Sequence, residues 1–174
     1  MSQQHARPNA PEDFLLRLLK GRRFDGLYGE VMDIVERCAA YLDGEGRKAR
    51  AALPPADQAA FARTSMWLTA SLMRSASVVL VLRAVGRGEM TVTAAIREVE
   101  STRKASFTVP PPGFRGLPDA LSGLVDEGIK AREATDRFVA ALNGDLPRPS
   151  ESPALRQIRD LQERLGTGMA AGLG

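Results

Sequence analysis

Residues 66 to 85 are the most apolar stretch of the chain, and a helical pattern of apolar positions extends around them from about Ala56 to Gly86. A run of that length suits a membrane span or the buried centre of a helical bundle, and little else. Two arginines, Arg74 and Arg83, fall inside it. Charges within a lone membrane-spanning helix are costly, so the pattern points to a buried central helix. Phe61, Leu68, Leu72, Ser75, Val79 and Leu82 line one face of that helix, and Met66, Met73 and Leu80, seven residues apart, line an adjoining one. The reading predicts a helix over residues 56–86, packed on both sides and roughly 45 Å long. Arg74 and Arg83 are each expected to pair with a carboxylate or to extend their guanidinium groups to water.

The remaining segments supply partners for this spine. From Phe24 to Asp43, Leu27, Val31, Ile34, Cys38 and Tyr41 recur at steps of 4, 3, 4 and 3, which is one helix face. Gly44 stands where a helix-terminating glycine belongs, and a loop carrying Gly46, Arg47, Lys48 and Arg50 is expected up to Leu53. Pro54 and Pro55 then mark the start of the spine. Behind Gly86 and Gly88, Thr91 or Thr93 caps a short helix with Val92, Ala95, Ile96 and Val99 on its apolar side. Residues 101–116 read as a long irregular stretch around Pro110, Pro111 and Pro112. From Leu117 to Leu142 a regular heptad (Leu121, Leu124, Gly128, Ala131, Thr135, Phe138) predicts another long helix ending at Asn143 and Gly144. Leu155, Ile158, Leu161 and Leu165 form a short amphipathic set behind a Pro-containing linker.

No segment alternates at period two, so the predicted fold is all-α: an antiparallel three- to four-helix bundle with a long central helix and flexible tails. Residues 1–12 read as a disordered arm, 13–144 as the bundle, and 145–174 as linker and tail. Phe14 to Leu19 is apolar enough to be expected to dock on the bundle.

Candidate chemistry is sparse. The chain's one histidine, His5, lies in the N-terminal arm, which leaves the bundle without a base for Ser-His or Cys-His catalysis. Cys38 falls on an apolar helix face, where a buried structural thiol is the ordinary outcome. A single cysteine forms no internal disulfide and points to a reducing, cytoplasmic setting. No CxxC pair, glycine-rich phosphate loop or helical ExxH motif is present, so no metal, cofactor or enzymatic activity is expected. The surface retains one pair of note, Asp43 and Arg47, which reads either as an Asp–Arg turn pair or as a plain cap with solvent-facing charges. Net charge is +3, with 24 basic against 21 acidic residues interspersed, which is not the clustered footprint of a nucleic-acid binder.

Several segments together resemble the RcdA family, regulators of CtrA degradation. They are Leu27-Tyr28-Gly29-Glu30-Val31-Met32, Ala40-Tyr41-Leu42-Asp43-Gly44-Glu45-Gly46-Arg47, Ser65-Met66-Trp67-Leu68-Thr69 with Leu72-Met73, and Arg83-Ala84-Val85 through Gly88-Glu89-Met90-Thr91. The likeness runs over roughly residues 22–143 and leaves both tails outside. It implies a cytoplasmic, dimeric helical-bundle adaptor that helps deliver substrates to the ClpXP protease in bacterial cell-cycle control. A CpdR-like receiver protein, a PopA-like cyclic-di-GMP-binding protein and cargo regulators are the partners it implies. In that setting Leu155, Ile158, Leu161 and Leu165 would suit docking on a partner groove. The pI near 9.4 keeps a nucleic-acid-associated regulator as the alternative, beside a purely structural dimerising bundle.

Overall fold

The structure, a computed structural model, describes residues 10–104 and 116–144. The chain divides into two units, Met1–Gly144 and Asp145–Gly174, and every described residue lies in the first. Among the described residues six helices follow one another: α1 (Ala10–Leu19), α2 (Arg22–Asp43), α3 (Glu45–Ala52), α4 (Pro55–Gly86), α5 (Val92–Lys104) and α6 (Asp119–Leu142). No strand occurs among the described residues. The fold is the all-α bundle expected, with three long helices forming its body and three short ones added to it.

Pro55 begins α4 at its first position, and Asp57 places a carboxylate in the first turn, where the helix dipole favours it. By length and composition α4 is apolar enough to cross a membrane, but half of its most apolar window is buried against the other helices. Leu68, Val79 and Leu82 are wholly inaccessible, as the central position requires. α2 offers Phe24, Leu27, Val31, Ile34 and Cys38 to the core, and α6 offers Leu121, Leu124, Gly128, Ala131, Thr135, Val139 and Leu142. Each such Leu, Ile or Val contributes roughly 1.5–3 kcal/mol by leaving water. The buried Thr135 hydroxyl donates to the Ala131 carbonyl at 2.8 Å, so its burial leaves no unpaired donor.

Side-chain contacts fix the helix directions. Arg83 lies over Tyr28 while Thr69 meets Cys38, and Glu127 meets Arg37 while Phe138 meets Phe24, so α2 runs antiparallel to both α4 and α6. Gly128 faces Leu68 and Leu72, while Asp136 meets Arg74, so α4 and α6 run parallel. The antiparallel description therefore holds for α2 alone among the three long helices. α1 docks as expected: Leu15 and Leu19 are buried, and Gly86 admits the Leu19 backbone so closely that a Cβ there would sit 3.2 Å from Leu19 Cβ. The helix begins at Ala10, inside the segment read from sequence as an arm. Of residues 101–116, expected to be irregular, residues 101–104 instead continue α5, and residues 105–115, with the three prolines, lie outside the described residues.

The expected loop between Gly44 and Leu53 is instead α3. Gly44 has a φ of −107° and is a one-residue joint, its N–H donated to the Ala40 and Tyr41 carbonyls. The chain can turn so sharply because Gly46 rests on Tyr41, where a Cβ would stand 2.8 Å from both the ring and the Tyr41 carbonyl. Glu45 at its start and Arg50 at its end match the dipole of this short helix. After α4, Gly88 takes a φ of +75°, a conformation that suits glycine. The Thr91 hydroxyl then accepts from the Ala94 N–H at 3.3 Å to cap α5.

Candidate functional site

Asp43 ends α2 and Arg47 sits in the first turns of α3. Their side chains lie 3.6 Å apart and are 86% and 76% exposed, which makes a loose surface pair across the helix joint. A contact of this kind contributes at most about 1 kcal/mol. Asp43 also lines a hollow between α2 and α4, together with Val35, Cys38, Ala39, Leu42, Thr69, Leu72 and Met73. A second hollow lies further along the same two helices, lined by Tyr28, Leu80, Arg83, Ala84, Arg87 and Glu89. Each measures about 260 Å³ and is open to solvent, below the roughly 300–1,000 Å³ of ordinary small-molecule pockets. The remaining candidates, Leu155, Ile158, Leu161 and Leu165, lie outside the described residues.

The residues that sequence reasoning misplaced are Met66, Met73 and Leu80. Expected to form a second packing face, they are 65%, 54% and 49% exposed. The central helix meets its neighbours through its other sides, and this heptad stripe emerges beside α2. Their spacing was the signal; it marks a contact seam without saying whether the partner belongs to the same chain.

Electrostatics elsewhere serve the packing. Burial pushes the Cys38 thiol upward, partly offset by a hydrogen bond with Thr69, so the thiol is held away from the nucleophilic thiolate form. Arg74, with only 10% of its side chain exposed, meets Asp136 at 2.9 Å, which ties α4 to α6. Arg83 stacks on the Tyr28 ring with its guanidinium carbon 4.1 Å from the centroid. No cluster of histidine, cysteine and carboxylate side chains suited to a metal ion occurs among the described residues.

Arg37 joins Glu127 across the α2–α6 seam and Asp33 within α2. The hydrogen bond from Arg37 holds the Glu127 carboxyl below its ordinary range. A lowered carboxyl pKa stabilises the fold at pH above the group's unfolded value and loses that contribution as pH falls through the folded one. Because both side chains are nearly half exposed, the effect stays under about 1 kcal/mol. Urea titrations at pH 6 and pH 3.5 should show Glu127→Gln to be slightly less stable than the parent at pH 6, with a smaller deficit at pH 3.5. An equal deficit at both values would exclude the ion pair as its cause.

Fold and site thus define a helical bundle built on one long central helix, with an apolar seam and two shallow hollows along its α2–α4 side. Residues 16–165 match a family described as a protein of unknown function, DUF1465. The crystal structure of RcdA from Caulobacter crescentus CB15 is similar at 33% identity and a TM-score of 0.57, covering 70% of this chain and 92% of that one. No curated protein matches. The chain belongs to this family, the RcdA family.

Proposed function

We propose that the chain is a cytoplasmic, non-catalytic adaptor that brings cargo proteins, cell-cycle transcription regulators among them, to the ClpXP protease. The observation that carries this reading is the likeness to RcdA, at 33% identity over 92% of the chain in its crystal structure. An exposed apolar seam flanked by two shallow hollows agrees with binding proteins rather than small molecules. The adaptor works by tethering: holding cargo beside the protease raises its effective concentration and requires no chemistry. Its partners are ClpX, a CpdR-like receiver protein, a PopA-like protein and the cargo. The adaptor itself is a homodimer. Leu155, Ile158, Leu161 and Leu165 form a partner-docking segment, and Asp43 with Arg47 contributes a polar contact at the rim of the α2–α4 hollow.

Reconstituted degradation tests the reading. ClpXP, the receiver protein, the PopA-like protein and a CtrA-type substrate are combined with increasing amounts of the full chain. Substrate half-life should fall severalfold in a saturable manner, and serine at the four tail positions should abolish the gain. Turnover that ignores the chain at every concentration would defeat the adaptor function. Acceleration that survives the serine changes would remove the tail from it.

A further inference from the structure

The hollow at the end of α4 differs from its neighbour in what lines it. Tyr28, Leu80, Arg83, Ala84, Arg87 and Glu89 surround it, whereas the hollow beside Asp43 is lined by no cation. Arg83 and Arg87 are one helical turn apart and share one side of α4. The Arg83 guanidinium is half-buried and lies on the Tyr28 ring, 4.1 Å from its centroid. A stacked guanidinium keeps its N–H edge for an acceptor, and among the described residues no carboxylate pairs with that edge. The rim is fixed by the backbone. Gly88, at a φ of +75°, turns the chain back so that the Glu89 N–H donates to the Ala84 carbonyl at 2.9 Å. The Arg87 and Glu89 side chains stay 3.9 Å apart, too far for a hydrogen bond. Two guanidinium groups therefore face one loosely held carboxylate.

The surface beside this hollow carries the same sign. Leu19 packs on Gly86, which brings the turn between α1 and α2 against the end of α4. Arg17, Lys20, Arg22 and Arg23 stand exposed about that turn, and none forms an ion pair among the described residues. Asp13, Asp25 and Glu30, the carboxylates nearest to them in sequence, pair with none of them and not with Arg83. At the other end of the bundle Arg47, Lys48, Arg50 and Arg63 are also exposed. The hollow toward that end offers them no shared concave site, being apolar apart from Asp43 and Thr69 and the Cys38 thiol. A space of about 260 Å³ suits one acidic side chain, whose carboxylate matches the planar guanidinium fork and whose methylenes meet Leu80 and Ala84. A phosphate dianion is disfavoured there, because Glu89 repels its second charge.

We propose that the Arg83–Arg87 hollow binds a glutamate or aspartate side chain from an acidic segment of a partner protein, whose further carboxylates lie along Lys20, Arg22 and Arg23. The site goes beyond the adaptor reading and does not depend on it, since its test is peptide binding without protease or cargo. Three probes are titrated into the isotope-labelled full chain at low salt, where exposed charges are least screened. They are a short acetylated, amidated peptide of glutamate and glycine, the same peptide with glutamine, and inorganic phosphate. The acidic peptide should move the Arg83 and Arg87 Nε–H resonances in a saturable manner, and the glutamine peptide should leave them in place. Arg83→Gln should weaken binding about tenfold, the loss of one charge-assisted hydrogen bond, and Arg87→Gln about threefold. If Arg83→Gln lowers helicity, Arg87→Gln decides alone, since Arg87 is exposed. Lys48→Gln and Arg50→Gln lower the net charge equally at the other end of the bundle and should leave the affinity unchanged. Arginine resonances that the acidic peptide does not move, or that the glutamine peptide moves as far, overturn the proposal. A loss of affinity in Lys48→Gln or Arg50→Gln that matches the loss in Arg87→Gln makes the binding a response to net charge and also overturns it. Tighter binding of phosphate than of the acidic peptide assigns the hollow to phosphate instead. Failure of the peptide titration leaves the degradation assay above untouched, and failure of that assay leaves this site standing.

Discussion

Leu68→Ala is expected to destabilise the chain by about 2–5 kcal/mol, a large share of the roughly 5–15 kcal/mol that separates most native domains from unfolding. Leu68 is wholly buried, and its Cδ1 occupies the space that a Cβ on Gly128 would take, 2.8 Å away. α4 and α6 approach so closely here because residue 128 has no side chain. Leu72 and Ala131 hold the same seam on either side. The void left by alanine therefore has little freedom to collapse, which places the cost in the upper half of the range. The reverse change, Gly128→Leu, overfills the seam and costs about 1–3 kcal/mol. Combined, the two changes should cost less than their sum, since the new side chain enters the vacated volume. Urea unfolding of both single variants and the double variant measures this. Strict additivity would mean that the two positions do not share one space.

Much of the fold is legible in the sequence because helix period and burial period coincide. Leu27, Val31, Ile34 and Cys38 are named by their spacing alone, and all four are buried. The same holds for Leu121, Leu124, Gly128 and Ala131 on α6. α3 escaped because Gly44 and Gly46 mimic a loop. Only the fit of Gly46 against Tyr41, a tertiary contact, shows the glycines to be a tight joint between helices. The run from Arg47 to Ala52 carries residues of high helix propensity, and that signal was outweighed by the glycines. The direction of α6 relative to α4 depends on the path through α5 and on pairs such as Arg74 with Asp136, which lie 62 residues apart.

The candidate site was legible only in part. Asp43 and Arg47 are an i, i+4 pair by sequence, and they meet across the joint. Their position at the rim of a hollow depends on Thr69 and Met73 from a different helix. The heptad of Met66, Met73 and Leu80 announces a seam without naming what lies on its other side. A helix that packs twice within one chain and a helix that packs once and keeps a free face carry the same residues. Exposure distinguishes them, and exposure follows from where α2, α5 and α6 go.

Phe24→Ala should cost about 3–5 kcal/mol, lowering the melting temperature by roughly 6–20 °C for a chain of this size. Phe24 is 1% exposed, and its ring meets that of Phe138 edge to face, with centroids 5.3 Å apart at 66°. An aromatic pair in that geometry contributes about 0.5–1.5 kcal/mol beyond its buried area. The pair joins the first turn of α2 to the last turns of α6. Through Gly21, whose carbonyl accepts from the Phe24 N–H at 3.0 Å, it also anchors the turn out of α1. Phe138→Ala should cost less, because Phe138 is only half-buried. Thermal unfolding followed by circular dichroism measures both. A loss under about 1 kcal/mol for Phe24→Ala would mean that this end of the bundle frays independently of the α4 core.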